Sequence, residues 1–123
     1  MSDHDKYSID LEVKFKPLEI IDVSILIAKS KKKWQNLSLC KVNDSVVRLA
    51  VIEGEFHWHK HEKEDEFFFV IEGLLLIDLE DKTIKLKSNQ CFTVPMGILH
   101  RTRAPSRTSI LLLEKGTIQP TGD

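Results

Sequence analysis

Short apolar stretches separated by polar turns run through most of the chain, and this pattern predicts a succession of β-strands. Turn chemistry is clear at Asn43-Asp44-Ser45, which lies between two apolar stretches. The predicted strands cover residues 37–42, 46–52, 56–61, 66–71, 74–79, 83–86, 91–94 and 108–114. Strands at intervals of about 8–12 residues, with no helical domain beside them, predict an all-β antiparallel sandwich or barrel.

The first third of the chain is less uniform. Residues 7–16 alternate apolar and polar side chains, which predicts a half-buried strand ending at Pro17. Residues 19–28 are rich in β-branched side chains, and we favour a second strand there. The apolar spacing over residues 18–28 also fits a helix, so that alternative stays open.

Three histidines at alternate positions, His57, His59 and His61, give the chain its most specific chemistry. Successive strand side chains point to opposite faces, so these imidazoles are expected on one face. A carboxylate beyond the acidic turn that follows can return on the neighbouring antiparallel strand, and His100 can supply another nitrogen. Three imidazole nitrogens and one carboxylate oxygen suit Fe, Mn, Ni, Cu or Zn, whereas Ca and Mg prefer oxygen-rich sites.

At these residues the chain resembles the cupin superfamily. The first cupin motif contains His-x-His, a short gap, Glu, six residues and Gly, and His59, His61, Glu66 and Gly73 match it. A shifted match that uses His57, His59 and Glu64 reaches isoleucine instead of glycine at the last position. The resemblance therefore implies that Glu66 is the carboxylate ligand.

The second cupin motif is matched less completely. Pro95, Gly97 and His100 stand at the expected spacing, whereas Asn89 and Ala104 replace the motif's leading Gly and trailing Asn. Asparagine tolerates positive φ better than most residues, so Asn89 is still expected to form the turn. The closest resemblance is to small single-domain cupins of unassigned activity.

The resemblance implies a single double-stranded β-helix, or jelly-roll-like, barrel over residues 35–123. Residues 1–34 would then be an N-terminal segment that packs on the barrel or on a partner subunit. One divalent transition metal per chain is implied, with His59, His61, Glu66 and His100 as ligands. Known cupin activities suggest dioxygenase-like or isomerase-like chemistry on a small polar or enolisable molecule. The alternative is a non-catalytic module in which the metal orients a small ligand or stabilises the barrel.

His57 has several possible roles: an acid or base beside the metal, a support for the ligands, an alternative ligand or a partly exposed residue. Of these, acid–base chemistry is the role that would make the protein an enzyme.

The strand phase that points the histidines inward leaves a large apolar face outside. Its residues would be Phe56, Trp58, Phe67, Phe69 and Ile71. Burying an aromatic side chain of this size is favourable by about 1.5–3 kcal/mol, so this face should be covered. The N-terminal segment or a second subunit could do so, and we expect a homodimer.

Composition narrows the remaining possibilities. The chain has 18 basic and 19 acidic residues, so its charge favours neither nucleic acid nor an anionic membrane as a partner, and the basic run at residues 29–33 is predicted to be a solvated loop. The polar N-terminus and the lack of a long apolar run favour a cytoplasmic protein. Cys40 and Cys91 have no paired spacing and are expected to be buried free thiols.

Overall fold

The computed structural model describes residues 7–116 and residue 122, and it confirms the predicted all-β, jelly-roll-like barrel. The elements in chain order are β1 (Ser8–Asp10), α1 (Val23–Lys29), β2 (Trp34–Val42), β3 (Ser45–Glu55), β4 (Glu66–Glu72), β5 (Leu74–Asp78), β6 (Thr83–Lys87), β7 (Cys91–Val94) and β8 (Arg101–Lys115).

The strands form one continuous sheet in which β8 pairs with β3, β4 and β5. The strand order is β1-β2-β3-β8-β4-β7, while β5 pairs with the first part of β8 and carries β6 on its other edge. Arg103 in β8 faces Leu76 of β5, whereas Leu112, nine residues later, faces Phe68 of β4. Because β8 extends from 101, seven residues before its predicted start, it can pair with different strands at its two ends.

The main hydrophobic core fills the inside of the barrel. Its largest fully buried members are Phe68, Ile52, Leu75, Ile77 and Ile110, all nearly inaccessible to solvent. Close packing of this kind gives the barrel a core of its own before any metal is considered.

A second apolar cluster lies on the outer face of β2 and β3, where α1 and the segment before it cover the sheet. Buried Leu39, Leu49 and Val51 are packed against Leu26 and Ile27 of the helix. The preferred strand over residues 19–28 was therefore wrong, and the helical alternative holds for residues 23–29. The helix begins after Asp22, whose side chain accepts a hydrogen bond from Ile25 N at 3.1 Å.

Two further strand predictions were wrong. The strand expected over residues 7–16 is confined to Ser8–Asp10, which pairs in parallel with β2. Residues 56–61 are irregular, with a single bridge between His59 and His100. Gly54 has φ of 108° and lies beside a register shift in the β3–β8 pairing, one residue before β3 ends at Glu55.

The irregular path also corrects the predicted exterior position of Phe56. Its ring is 6% exposed and packs in the core, with its centroid 4.5 Å from that of Tyr7 and 5.4 Å from that of Trp34. Strict alternation does not apply beyond the end of β3, so residue parity no longer decides which way a side chain points.

Two motif positions have the backbone conformation that their sequence role requires. Asn89 has φ of 68°, as expected for a turn residue that replaces glycine. Gly73 has φ of 106°, and a Cβ atom placed there would lie 2.5 Å from Thr108 Oγ1 and 2.9 Å from Thr108 Cα. Glycine is needed at residue 73 both for its backbone conformation and for the close approach of β8.

Both cysteines are free, but the expectation that they are buried was wrong for Cys91, which is exposed, and Cys40 is only half-buried. In residues 7–116, no helix is long and apolar enough to cross a membrane.

Candidate metal centre

The structure brings four side chains from separate parts of the chain to one buried point. His59, His61, Glu66 and His100 each offer a ligand atom, and these atoms all lie within 4.8 Å of one another. All four residues are buried, with His100 only 1% exposed. This group could hold a metal ion.

Backbone hydrogen bonds hold the two histidine segments against each other. His59 N donates to His100 O at 2.8 Å, and His100 N donates to His59 O at 2.9 Å. Gly97 N donates to His61 O at 2.8 Å, which ties the Pro95-x-Gly97 turn to the first segment. Glu66 is the first residue of β4, so the acidic turn ends where its carboxylate enters the site.

Hydrogen bonds to main-chain carbonyls orient two of the imidazoles. His59 Nδ1 lies 3.0 Å from His57 O, and His100 Nδ1 lies 2.9 Å from Ile98 O. A carbonyl oxygen can only accept, so Nδ1 donates in both rings and a neutral ring carries its lone pair on Nε2. The donor set is therefore arranged as in histidine metal sites, where the far nitrogen is held by a main-chain acceptor.

The nearest contacts within the group also call for a cation. Glu66 Oε1 lies 3.2 Å from His100 Nε2 and 3.5 Å from His61 Nε2. A carboxylate oxygen and an imidazole lone pair repel each other at this distance unless a proton or a metal ion lies between them. The residues present thus fit a divalent ion with nitrogen and oxygen ligands.

The electrostatics keep His59 neutral. Burial, together with the smaller effects of the neighbouring His100 and His61, lowers its pKa to about 4, against the opposing effects of its hydrogen bond to His57 and of Glu66. At neutral pH this imidazole is therefore uncharged and its lone pair is available.

A buried polar chain continues from Glu66 into the barrel. The antiparallel register that pairs Phe67 with Leu113 places Glu66 opposite Glu114 of β8. Glu114 accepts a hydrogen bond from Arg48 Nε at 2.6 Å, and Arg48 also donates to the hydroxyl of Ser38. The side chains of Arg48 and Glu114 are 2% and 1% exposed, so a charge on either depends on the other.

The two carboxyl groups titrate in opposite directions. Burial alone would raise the pKa of Glu66, but its interactions with His100, His61 and Glu114 outweigh burial and lower it. Burial and the nearby charge of Glu66 raise the pKa of Glu114 to about 8. The pair therefore holds one proton on Glu114 at neutral pH and leaves Glu66 as the anion.

His59 and Glu66 also line a narrow cavity inside the barrel, with a volume of about 30 Å³. Most of its wall is apolar and comes from the core, including the rings of Trp34, Phe56 and Phe68. Asn36 and Thr102 supply the remaining polar side chains of the wall.

The other acidic and histidine candidates lie apart from this group. His57 is half-buried, stacked on Phe56 with a centroid distance of 4.3 Å, and its ring centroid is 5.5 Å from that of His59. Glu64, the carboxylate of the shifted register, lies 3.4 Å from Lys115 Nζ and outside the four-residue group. The four residues brought together are those of the later register.

The sequence patterns did not point to four polar residues of the interior: Asn36, Ser38, Arg48 and Glu114. A signal was present, because Arg48 and Glu114 occupy inward positions of otherwise apolar strands. A charged residue at such a position needs a buried partner of opposite charge.

Comparison with known proteins agrees with this architecture. A family model described as Cupin domain matches residues 45–114. The chain is 51% identical over 85 residues to YdbB of Bacillus subtilis (strain 168), an alignment covering 68% of this chain and 75% of that protein.

Solved structures show the same fold. A cupin-2 domain containing protein from Shewanella frigidimarina has a TM-score of 0.75 and 30% identity, over 78% of this chain and 94% of that chain. Protein NMB1881 from Neisseria meningitidis has a TM-score of 0.70 and 26% identity, over 79% and 99% of the two chains. Since the family model spans more than half of the sequence, the chain belongs to the cupin family.

Proposed function

We infer that His59, His61, Glu66 and His100 bind one divalent transition metal, Fe, Mn, Ni, Zn or Cu. The observation that carries this proposal is the convergence of four buried ligand atoms within 4.8 Å of one another. The main-chain acceptors at His59 and His100 support it, because they direct the Nε2 atoms toward the shared point.

The proposed activity is dioxygenase-like or isomerase-like chemistry on a small polar or enolisable molecule. A bound ion of this kind supplies a Lewis acid for a carbonyl or enolate oxygen, and redox chemistry where it is iron. The chain's own residues exclude bulk water from one side of the site through the apolar cavity wall, and Glu66 contributes the negative charge. His57 lies beside His59 and is the proposed proton acceptor or donor.

Metal analysis of protein purified without an affinity tag tests the metal site. We expect close to one divalent ion per chain. Chelation of the ion at pH 7.5 should lower the melting temperature, because a ligand at a hundredfold excess over its Kd stabilises the folded state by about 2.7 kcal/mol. The metal-free protein should still melt cooperatively, since its core is independent of the ion. Verified metal removal without any change in melting would mean that the site binds too weakly to matter.

A second candidate, the non-catalytic binding module, is favoured by the largely apolar cavity beside the ligand group. The two functions differ in what His57 does. If the protein is an enzyme, a mass-spectrometric screen of oxo acids, sugars and enolisable carbonyl compounds should reveal turnover, and His57→Ala should reduce it without removing the metal. Ligand retention without turnover in the same screen would favour the binding module.

The proposed homodimer rests on the part of the outer face that the N-terminal segment leaves open. Leu113 of β8 is 39% exposed and pairs with Phe67, while half-buried Phe69 pairs with Leu111. Of the five residues predicted outside, Phe56 is in the core, and Ile71 packs in the outer cluster. Light scattering should give a mass near twice 14.2 kDa, reduced toward the monomer by Leu113→Lys. A monomeric wild type at micromolar concentration would rule this dimer out.

A further inference from the structure

The side-chain oxygen Oδ1 of Asn36 is among the polar atoms that are buried without a hydrogen-bond partner in the described part of the chain. Asn36 lies in β2 and is only 8% exposed. Its backbone is paired with Ala50 in the β2–β3 ladder, so the position of the side chain is set by the sheet. A buried amide oxygen without a donor costs stability, and such atoms in native proteins generally have a function or a missing partner.

The position of Asn36 connects this atom to the candidate metal centre. Asn36 lines the same narrow cavity as His59 and Glu66. Between these polar groups the wall is apolar, with Phe68 and Ile110 among its members. Away from the candidate metal ligands, a group that enters the cavity therefore meets two polar side chains, those of Asn36 and Thr102, on an otherwise apolar wall.

Cavity size limits what can enter. Its volume of about 30 Å³ exceeds the roughly 10–15 Å³ that a single water molecule needs, so water or a small terminal group fits. Because Oδ1 is an acceptor, that group must carry a hydrogen-bond donor. A site built around such an acceptor discriminates strongly against an analogue that lacks the donor, since the acceptor is then left unmatched.

We propose that Asn36 is a specificity-determining residue that accepts a hydrogen bond from the tip of a small metal-chelating ligand. The ligand class is a compact oxygen chelator, bound to the metal through its oxygens, whose short tail ends in a hydroxyl or amino group inside the cavity. This inference rests on the metal centre of the proposed function. It narrows the small polar molecule named there to one with a donor at the end away from the metal.

A matched pair of probes tests the assignment. Glycolohydroxamic acid and propanohydroxamic acid carry the same chelating head and differ by a terminal hydroxyl in place of a methyl group. Calorimetric titration of the zinc-loaded protein should show about tenfold tighter binding of the hydroxyl probe, equivalent to one well-placed hydrogen bond. Asn36→Leu keeps a similar side-chain volume and should abolish this preference. Thr102→Val, which removes a hydroxyl group from the same cavity wall, should retain the preference for the hydroxyl probe.

A second readout needs neither metal nor probe. If Asn36 Oδ1 is unmatched until a ligand arrives, Asn36→Leu should unfold at a higher temperature than the wild type in the metal-free state. A lower melting temperature for this folded variant would show that Asn36 has a structural partner, and it would overturn the proposal.

The outcomes separate this inference from the proposed function. If the protein binds zinc but has equal affinities for the two probes, Asn36 accepts a hydrogen bond only from water. That result would overturn the role proposed for Asn36 and leave the proposed metal centre standing. Loss of the preference in Thr102→Val, with retention in Asn36→Leu, would move the donor contact to Thr102 and overturn it as well. Failure to bind zinc at all would overturn both proposals.

Discussion

Replacing Gly73 with alanine should show how closely β8 packs against the turn that follows β4. Gly73 has φ of 106°, and its added Cβ would lie 2.5 Å from Thr108 Oγ1 and 2.9 Å from both Thr108 Cα and Thr108 Cβ. Two of these three atoms do not move with side-chain rotation, so either the backbone of β8 or the turn must shift. Such a shift would also disturb the 3.1 Å hydrogen bond from Leu74 N to Thr108 Oγ1.

The expected loss of stability has two parts. A non-glycine residue at this φ costs about 1–3 kcal/mol in backbone strain. Forcing a methyl group into filled space costs about 1–3 kcal/mol more. Gly73→Ala should therefore lower the free energy of unfolding by about 2–6 kcal/mol, a large share of the 5–15 kcal/mol typical of a single domain.

Gly54 provides a matched control for the first part. Its φ of 108° is nearly the same, but a Cβ added there would meet nothing within 4 Å. Gly54→Ala should thus show the backbone term alone, and the difference between the two variants should equal the steric term. Urea unfolding of the metal-free proteins, followed by circular dichroism, measures both free energies under two-state conditions.

Metal binding should also be weakened more in Gly73→Ala than in Gly54→Ala. Gly73 immediately follows β4, whose first residue is Glu66, so a shift there should loosen the ligand set more than a change at Gly54 does. Equal losses of stability in the two alanine variants would refute the close-packing argument, because the only difference invoked is the space around the added Cβ.

Three further predictions concern the site itself. His100→Ala should weaken metal retention by more than about a hundredfold, beyond what loss of a supporting residue usually costs, whereas His57→Ala should retain the ion, and equal losses on titration would make our choice of register wrong. In the metal-free protein, His59 binds a proton near pH 6.5 in the unfolded state and only near pH 4 in the folded state. Its contribution to the free energy of unfolding, on the order of 3 kcal/mol, is therefore present above pH 6.5 and is lost as the pH falls to about 4. The raised pKa of Glu114 has the opposite effect, since it makes the folded state less stable as the pH rises toward 8. The contribution of His59 is therefore measured as the difference between the unfolding curves of the wild type and His59→Gln. A difference that does not change with pH would contradict this prediction. Arg48→Met should cost about 1–3 kcal/mol in urea unfolding at pH 7, because the buried Glu114 carboxyl group and the Ser38 hydroxyl lose their hydrogen-bond donor, and a loss below about 0.5 kcal/mol would show that this contact is not needed.

The barrel and the convergence of the four candidate ligands could be predicted because local patterns determine them. Gly73 and the Pro95-x-Gly97 turn require specific backbone conformations, and the spacing of His59, His61 and Glu66 follows from a turn between neighbouring segments. Such signals are contained within a few residues of one another. They survive even where the strand prediction around His59 is wrong.

What could not be predicted depends on contacts between distant parts of the chain. The side chain of Phe56 turns inward because Tyr7 and Trp34 provide a place for its ring, which alternation cannot indicate. Helix α1 forms where β-branched residues favour a strand, because its apolar side packs on the outer face of β2 and β3. The pairing of Arg48 with Glu114 spans 66 residues and becomes visible only when β3 and β8 are seen side by side.

The shared strand β8 has a consequence for how the protein is made. Because β3, β4 and β5 all pair with residues 101–115, none of them has its full set of neighbours until that segment has left the ribosome. During synthesis, which proceeds from the N-terminus at about 5–20 residues per second, the emerged strands have open edges for several seconds. A nascent chain that stalls before residue 101 would therefore expose unpaired strand edges that can associate with other chains. Chaperones that bind unfolded chains would act mainly on this incomplete form.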